Sequence, residues 1–543
     1  MLRGPRRSHE VALSDCAAVG KVSRRHSTEL ERIWLVHLSL PPSDSLGSAM
    51  IVAEPVSLHP GEVSLPDSPP TSYHEKDMEK DVLAREESAS EDEAVYIVDP
   101  EAERKLIRRL DIRIIPASMF IYVLCFLDRS NVGNAKILNA DTGDSLAQSL
   151  HISNNQYNTA LMVFFIAYAI FQVPSNYMLK KLYPSRWMAF LMMGWGGTTM
   201  ILAAVKDLPS LTGVRFLLGA FEAGLFAGIV YFLTFWYKPR ERSLRIALIS
   251  ACATLGGGFG GSIAFGVGRL NQAMGLEGWR WLVLIEGAPT CASAVLVYLF
   301  FPDYPETVSW LSPAERELAI NRIKGVASLG HSRISWEQTQ ATLRDWRLWL
   351  HYLIFVAVSV PFSSISLFAP TIVAGLGFEG LDAQLFTVPP YGIGFVVTVV
   401  VAWICDRYEK WSWGAVVSFL IASVSFFIQG AIAATAFKTR YGMLCIGSSF
   451  SYASIPPLLT WLTANLRSTS AITLAVALNV TLGTIGQIIG VYIYKGDEAP
   501  GYPTGHYTNA GALLVCTAVT LLLKVVYTRR NRHLTAGERP WRT

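Results

Sequence analysis

The stretch "FLDRSNVGNAKI", residues 126–137, sets Asp128 beside Arg129 within an otherwise apolar run. A second run, "LTGVRFLLGAFEAGLFAGIVYFLTFWY", residues 211–237, carries Arg215 and Glu222. An ionised side chain at the centre of a membrane helix costs about 2.5–3.5 kcal/mol on insertion scales, so it persists when paired, when turned to a water-filled cavity, or both. Buried carboxylates and guanidiniums suit two tasks. A carboxylate exchanges a proton, and burial and neighbouring charge decide when. The planar fork of Arg matches the two oxygens of a carboxylate, so it suits an anionic solute. The chemistry expected is proton exchange at Asp128 and Glu222 and anion binding at Arg129 and Arg215. The bland alternative is that Asp128–Arg215 and Arg129–Glu222 are salt bridges that only hold helices together.

The elements that would position these residues are membrane spans. The chain has 543 residues, 51% hydrophobic and 16% charged, against about 25% charged in soluble proteins. A span needs about 20 apolar residues. Twelve segments meet that length, at 111–137, 157–179, 187–205, 210–236, 244–268, 281–301, 348–375, 384–405, 413–435, 440–463, 470–494 and 508–528. Lys and Arg crowd the loops on one side, among them Arg108, Arg109, Lys180, Lys181, Arg240, Arg242, Arg529 and Arg530. That side faces the cytosol by the positive-inside rule, which puts both termini there.

Residues 1–104 read as a disordered cytosolic tail, since "PDSPPTS" and "EKDMEKDVLAREESASEDE" cannot bury a core. Residues 105–301 form a first six-helix bundle and 347–528 a second, with a cytosolic loop at 302–346 and a short tail at 529–543. Within the loop, "SPAERELAINRIKGV" predicts a short amphipathic helix capped by Ser312. No cleavable signal core follows Arg3, Arg6 and Arg7.

In this layout the first span runs outward and the fourth runs inward. Asp128 lies about 15 Å below the outer end, and Arg215 and Glu222 lie about 9 and 20 Å below it, at 1.5 Å per residue. Arg215 and Glu222 share a helix face with Gly219 between them, which would let another helix approach. Glu286 is a further buried acid, expected to pair with Arg280 or Arg269. Asn131 and Asn134 follow the charged pair and are possible solute contacts. In the second half the candidates are Ser363, Ser364, Tyr391, Trp461, Asn479 and Gln487, each a packing residue as readily as a ligand. "LGGGFGGSIAFG" and "GTIGQIIG" read as close helix packing, and "VPP" and "SIPP" as kinks. The seven Cys follow no pairing or metal-binding spacing and read as small buried hydrophobes. No nucleophile–base pair, metal cluster or phosphate loop is present, so neither catalytic residues, metal, cofactor nor nucleic acid is expected.

Six spans, a charged loop and six more is the layout of the major facilitator superfamily. "FLDRSNVGNAKI" resembles the first-span signature of its anion:cation symporter branch, whose fungal members are allantoate, nicotinate and pantothenate-type permeases. "RKLIRRLDIRIIP", "VPSNYMLKKLYPSRW", "RFLLGAFEAGLFAGIVYFLTFWYKPRER", "GWRWLVLIEG", "FPDYPETVSWLSPAER" and "YKGDEAPGYPTGHYTN" agree with it, so the resemblance covers about residues 100 to 530. It implies an all-α polytopic membrane protein of the major facilitator fold that carries a small organic anion with a proton by alternating access. It implies coupling and anion-binding roles for Asp128, Arg129, Arg215 and Glu222, and a location mostly at the plasma membrane. The superfamily's cytosolic loop motif is eroded here. Its remnants, Arg186 in the first half and Asp406 and Arg407 in "CDRYEKW", are expected to gate the cytosolic side. The expected partners are the anion, a proton and the lipid bilayer, with the chain acting as a monomer. The alternatives are a proton-coupled exporter of a secondary metabolite or drug, and a nutrient sensor that uses the acidic tail. The fifth span lacks the Gly-Pro dipeptide that such exporters carry, which weighs against the first.

Overall fold

The computed structural model describes residues 99–323, 340, 342–378, 380–466, 469–534 and 540–543. The tail expected to be disordered lies almost wholly outside the described residues. The first helix, α1 (Pro100–Ile137), starts earlier than its apolar stretch, because Asp99 caps it by accepting from the Glu101 amide at 3.0 Å.

The chain continues through α2 (Asn154–Lys181), α3 (Pro184–Leu202), α4 (Leu208–Glu222), α5 (Leu225–Leu233), α6 (Pro239–Val267) and α7 (Gly278–Phe300). After the short α8 (Pro313–Asn321) come α9 (Trp346–Gly375), α10 (Gly380–Leu385), α11 (Val388–Tyr408), α12 (Trp411–Ala431), α13 (Phe437–Ala453), α14 (Ile455–Ala464), α15 (Thr469–Tyr492) and α16 (Pro503–Asn531). Helices occupy all twelve expected segments. Among the described residues, ten candidates are long and apolar enough to cross a membrane. The others are α3, diluted by three Gly and two Thr in "GWGGTT", and the α13–α14 segment, with Lys438, Arg440 and a divide at Ser454.

One pairing scheme occurs twice. Before residue 302, α1 packs on α6, α2 on α4 and α3 on α7; after residue 346, α9 packs on α15, α11 on α13 and α12 on α16. Taken by order of span, these are the same partners six spans apart. The contacts between the two sets obey the same rule: α1 meets α9, and the α6–α11 contact is matched by α15–α2. That is the pattern of two repeats facing each other across a two-fold relation.

The repeats also share their interruptions. The fourth span breaks between α4 and α5, and the tenth between α13 and α14. The first break follows Glu222 at Gly224, whose φ of 85° is left-handed and favours glycine. Its amide donates to Gln172 Oε1 at 2.8 Å, and a Cβ there would collide with Ser175. The tenth-span break at Ser454 precedes Pro456 and Pro457, which supply no amide hydrogens.

The amphipathic helix α8 forms as the sequence reading expects. Ser312 and Glu315 make a reciprocal cap, and Arg109 and Arg322 tie this region to α1 through Glu315 at 2.8 Å and Glu103 at 3.1 Å. The C-terminal tail does more than trail away. Trp541 stacks on Tyr527, and the Arg542 amide donates to Asn465 Oδ1 at 2.8 Å.

Candidate functional site: a buried ion pair at a cavity

Arg129 on α1 and Glu222 at the end of α4 meet at the centre of the first repeat. Arg129 Nη2 stands 2.7 Å from Glu222 Oε1, with the two side chains 11% and 1% exposed. The Cys125 thiol donates to the same oxygen at 2.9 Å, so this cysteine is more than buried filler. The guanidinium also lies over the rings of Tyr168 and Phe164, at 4.9 and 5.3 Å. Gly219, one turn before Glu222, makes the close approach of α2 possible, since a Cβ there would run into the Phe164 carbonyl.

The other deep charges are less satisfied. Both oxygens of Asp128, Arg215 Nε, Glu222 Oε2 and Arg129 Nε have no hydrogen-bond partner among the described residues. Asp128 makes no ion pair with Arg215 there; only the second of the two bridges considered from sequence closes. Asp128 instead has Trp195, Arg215, Glu222 and Glu286 within electrostatic reach.

Glu286 departs from expectation. Arg280 is engaged by Glu277 at 2.5 Å and by the carbonyls of Ala203 and Val205, at 2.5 and 2.9 Å. Arg269 lies over Phe265 at 5.0 Å. Neither reaches Glu286, which is buried on α7 with Oε1 unpartnered and Asp128 as its acidic neighbour.

Arg129 faces a cavity between the repeats. Its lining comes from both: Tyr122, Tyr168, Phe226 and Ser250 before residue 302, and Phe355, Phe362, Tyr452 and Gln487 after residue 346. Gln487 Oε1 and Ser250 Oγ are buried without a partner among the described residues, while the Tyr452 hydroxyl lies within reach of Tyr391. Hydrogen bonds between the two sets of helices form near both ends of the α10–α11 segment. Near one end Gln384 Nε2 donates to the Asn134 carbonyl at 3.3 Å; at the other, Ser243 donates to Asp406 at 2.5 Å and meets Thr460 at 2.9 Å.

The second-half candidates divide. Gln487 lines the cavity, and Ser363 lines a smaller void with Arg129 and Gln487 while donating to the Gln487 carbonyl at 3.0 Å. Ser364 is bonded to Asn509, at 3.0 Å from its amide nitrogen, away from the lining. Tyr391 packs against Tyr452 and donates to the Ile365 carbonyl at 3.4 Å. Trp461 donates to the Arg542 carbonyl at 2.8 Å, next to the C-terminal tail. Asn479 is buried with Oδ1 unpartnered, and its neighbour Val480 reaches the lining. Asn131 and Asn134 bond to each other at 2.5 Å beside Gly260 and do not line the cavity. Of the three gate residues, Asp406 joins the two sets of helices. Arg186 lies over Tyr183 at 4.9 Å, and Arg407 is exposed without an ion pair among the described residues. The sequence reading missed Tyr122, Tyr168, Phe226, Phe355, Phe362 and Tyr452. Aromatics spread over five helices carry no local signal that they converge.

Residues 118–491 match the family model described as Major Facilitator Superfamily. The chain is 53% identical over 438 residues to the MFS transporter prlL of Fungal sp. (strain NRRL 50135), covering 80% of this chain and 88% of the relative. It is 32% identical over 473 residues to the MFS-type transporter cnsO of Penicillium expansum, covering 83% and 90%. A crystal structure of a bacterial homolog of the human lysosomal transporter Spinster, inward-facing and occupied, superposes with a TM-score of 0.56 at 16% identity, covering 76% of this chain and 97% of that one.

Proposed function

The chain belongs to the major facilitator superfamily, and we propose that this membrane transporter carries an organic anion together with a proton by alternating access. The observation that carries the reading is the Arg129–Glu222 ion pair facing the cavity between the repeats.

The coupling follows from the cost of an unpaired buried charge. Removing one partner of a buried ion pair leaves the other uncompensated, at about 3–5 kcal/mol. Arg129 therefore keeps an anion beside it at every stage. With the cavity empty, that anion is Glu222. For a solute carboxylate to dock on the guanidinium fork, Glu222 must give way, and neutralisation by a proton lets it do so cheaply. Proton and solute then occupy the site together with no net change in its charge. Asp128 makes no ion pair among the described residues and supplies a second proton position near Arg215.

Neutralising the site lowers the barrier to closing it, and the contacts at Asn134–Gln384 and Ser243–Asp406 supply alternate closures. The broken α4–α5 segment supports this reading, since discontinuous helices with solute groups at the break recur in transporter sites. We assign the site to a monomer acting in the plasma membrane. The first repeat, 105–301, holds the charges, and the second, 347–528, reads the rest of the solute.

The test is uptake into proteoliposomes over a panel of labelled carboxylates, with and without an imposed pH gradient. Glu222→Gln is expected to abolish gradient-driven accumulation while leaving counterflow exchange. Full accumulation in that variant would remove Glu222 from the mechanism. Arg129→Lys should also fail, because an ammonium cannot fork a carboxylate. Reversing the gradient distinguishes import from export.

A further inference from the structure

Resting on the anion-transport reading, we infer that the cargo is a monoanion whose carboxylate is joined to a bulky apolar body the size of a ring system. It is neither a small polyhydroxy acid nor a polycarboxylate. Three features of the cavity carry this.

The first is its walls. Tyr122, Tyr168, Phe226, Phe355, Phe362 and Tyr452 converge on it from five helices. They are organised among themselves: Tyr122 against Phe226 at 5.3 Å, and Phe362 edge-on to Tyr452 at 5.3 Å. Such rings gain by covering apolar surface and by offset or edge contacts with another ring. A small polyhydroxy acid would leave most of this ring surface uncovered and lay most of its hydroxyls against it.

The second is charge. Among the described residues lining the cavity, Arg129 is the one charged side chain. The other deep guanidinium, Arg215, is buried outside the lining. A second carboxylate on the cargo would be taken out of water with no cation to meet it.

The third is the sparse set of polar atoms. Ser250 Oγ and Gln487 Oε1 are buried without a partner among the described residues, and both residues line the cavity. Few polar groups in a mostly apolar wall is the usual make-up of a site for a larger organic ligand. They would fix the orientation of one or two hydrogen-bonding groups on the apolar body.

The experiment is equilibrium binding to the purified full chain in detergent, with three probes: tritiated 2-naphthoate, L-tartrate and the uncharged 2-naphthamide. The expected result is at least about tenfold tighter binding of 2-naphthoate than of either other probe, a gap typical of one well-made contact. Phe362→Ser should weaken 2-naphthoate by a similar factor. Phe362→Leu, which keeps the bulk and removes the ring, should fold with an unchanged Tm and fall between. Tartrate binding as tightly as 2-naphthoate would overturn this inference and leave anion transport standing. Equal binding of the amide would overturn the anchoring by Arg129, and with it both readings. Binding of neither anion would overturn both as well.

Discussion

The two repeats share a pairing scheme and differ in what they bury. The first holds Asp128, Arg129, Arg215, Glu222 and Glu286 at its centre. The second buries Ser359, Ser363, Ser364, Asn479 and Gln487 there, all uncharged. Its buried cation, Arg440, sits near the start of α13 and is held by the carbonyls of Pro500, at 3.2 Å, and Gly501, with His506 Nε2 at 3.4 Å. A carbonyl ligand is fixed in charge, whereas a carboxylate ligand changes charge with one proton. The difference is one of ligand: among the described residues, the guanidinium at the cavity meets a carboxylate, whereas Arg440 is held mainly by carbonyls beside a histidine, so coupling is read in the first repeat. The second repeat has groups suited to recognition.

The sharpest way to break this contrast is to remove the cation from the switchable pair. Arg129→Ala strands Glu222 and should cost about 3–5 kcal/mol of stability, seen as a lower Tm of the detergent-solubilised chain. Joining Arg129→Met with Glu222→Leu should restore most of that loss while transport stays absent. If the double variant is as unstable as the single one, the two residues do not form an energetic unit.

The residues of that pair are the most legible part of the site, since charges set in apolar runs have few readings. The span pattern was legible for the same reason: long apolar segments leave little choice. Three things were not. The break at Gly224 depends on Gln172, which is 52 residues away in sequence. The sequence offers Arg280 or Arg269 as partners for Glu286, but the fold engages Arg280 with Glu277 and two carbonyls and lays Arg269 over Phe265. Trp461, a packing residue as readily as a solute contact from sequence, meets the C-terminal tail, whose return no local pattern announces.

The second repeat's cation gives the matched comparison. Arg440→Leu leaves the Pro500 and Gly501 carbonyls without their donor, at about 1–3 kcal/mol. The Tm should fall, and the pH dependence of uptake by the folded fraction should stay that of the parent. A moved pH profile would mean that the second repeat takes part in coupling.

Glu286 sharpens the contrast within the first repeat, because it is an acid with an acidic neighbour where Glu222 has a cation. Glu286→Gln replaces a buried carboxyl whose Oε1 has no partner among the described residues and whose neighbour Asp128 is also an acid. It should raise stability by roughly 1 kcal/mol, the opposite sign to Glu222→Gln, which unbalances Arg129. A destabilised Glu286→Gln would show that this carboxyl has a cationic or donor partner in the folded protein.

The smallest effect is expected outside the bundle, where a carboxylate meets a guanidinium near the surface and burial does not amplify the pair. In α8, the Ser312 amide donates to Glu315, and Arg109 adds a bond at 2.8 Å; together these hold the Glu315 carboxyl below its ordinary range. A group depressed in this way contributes stability above its unfolded value and loses it as the pH falls through the folded one. Glu315→Gln should therefore lower stability by about 0.5 kcal/mol at neutral pH, as for a surface pair. The difference from the parent should vanish in acid, where both side chains are neutral. Hydrogen exchange of the α8 amides at pH 7 and at acid pH reads this directly. A difference that persists in acid would mean that Glu315 acts through packing, and a difference as large as that for Arg129→Ala would erase the distinction between buried and surface pairs on which the contrast of the two repeats rests.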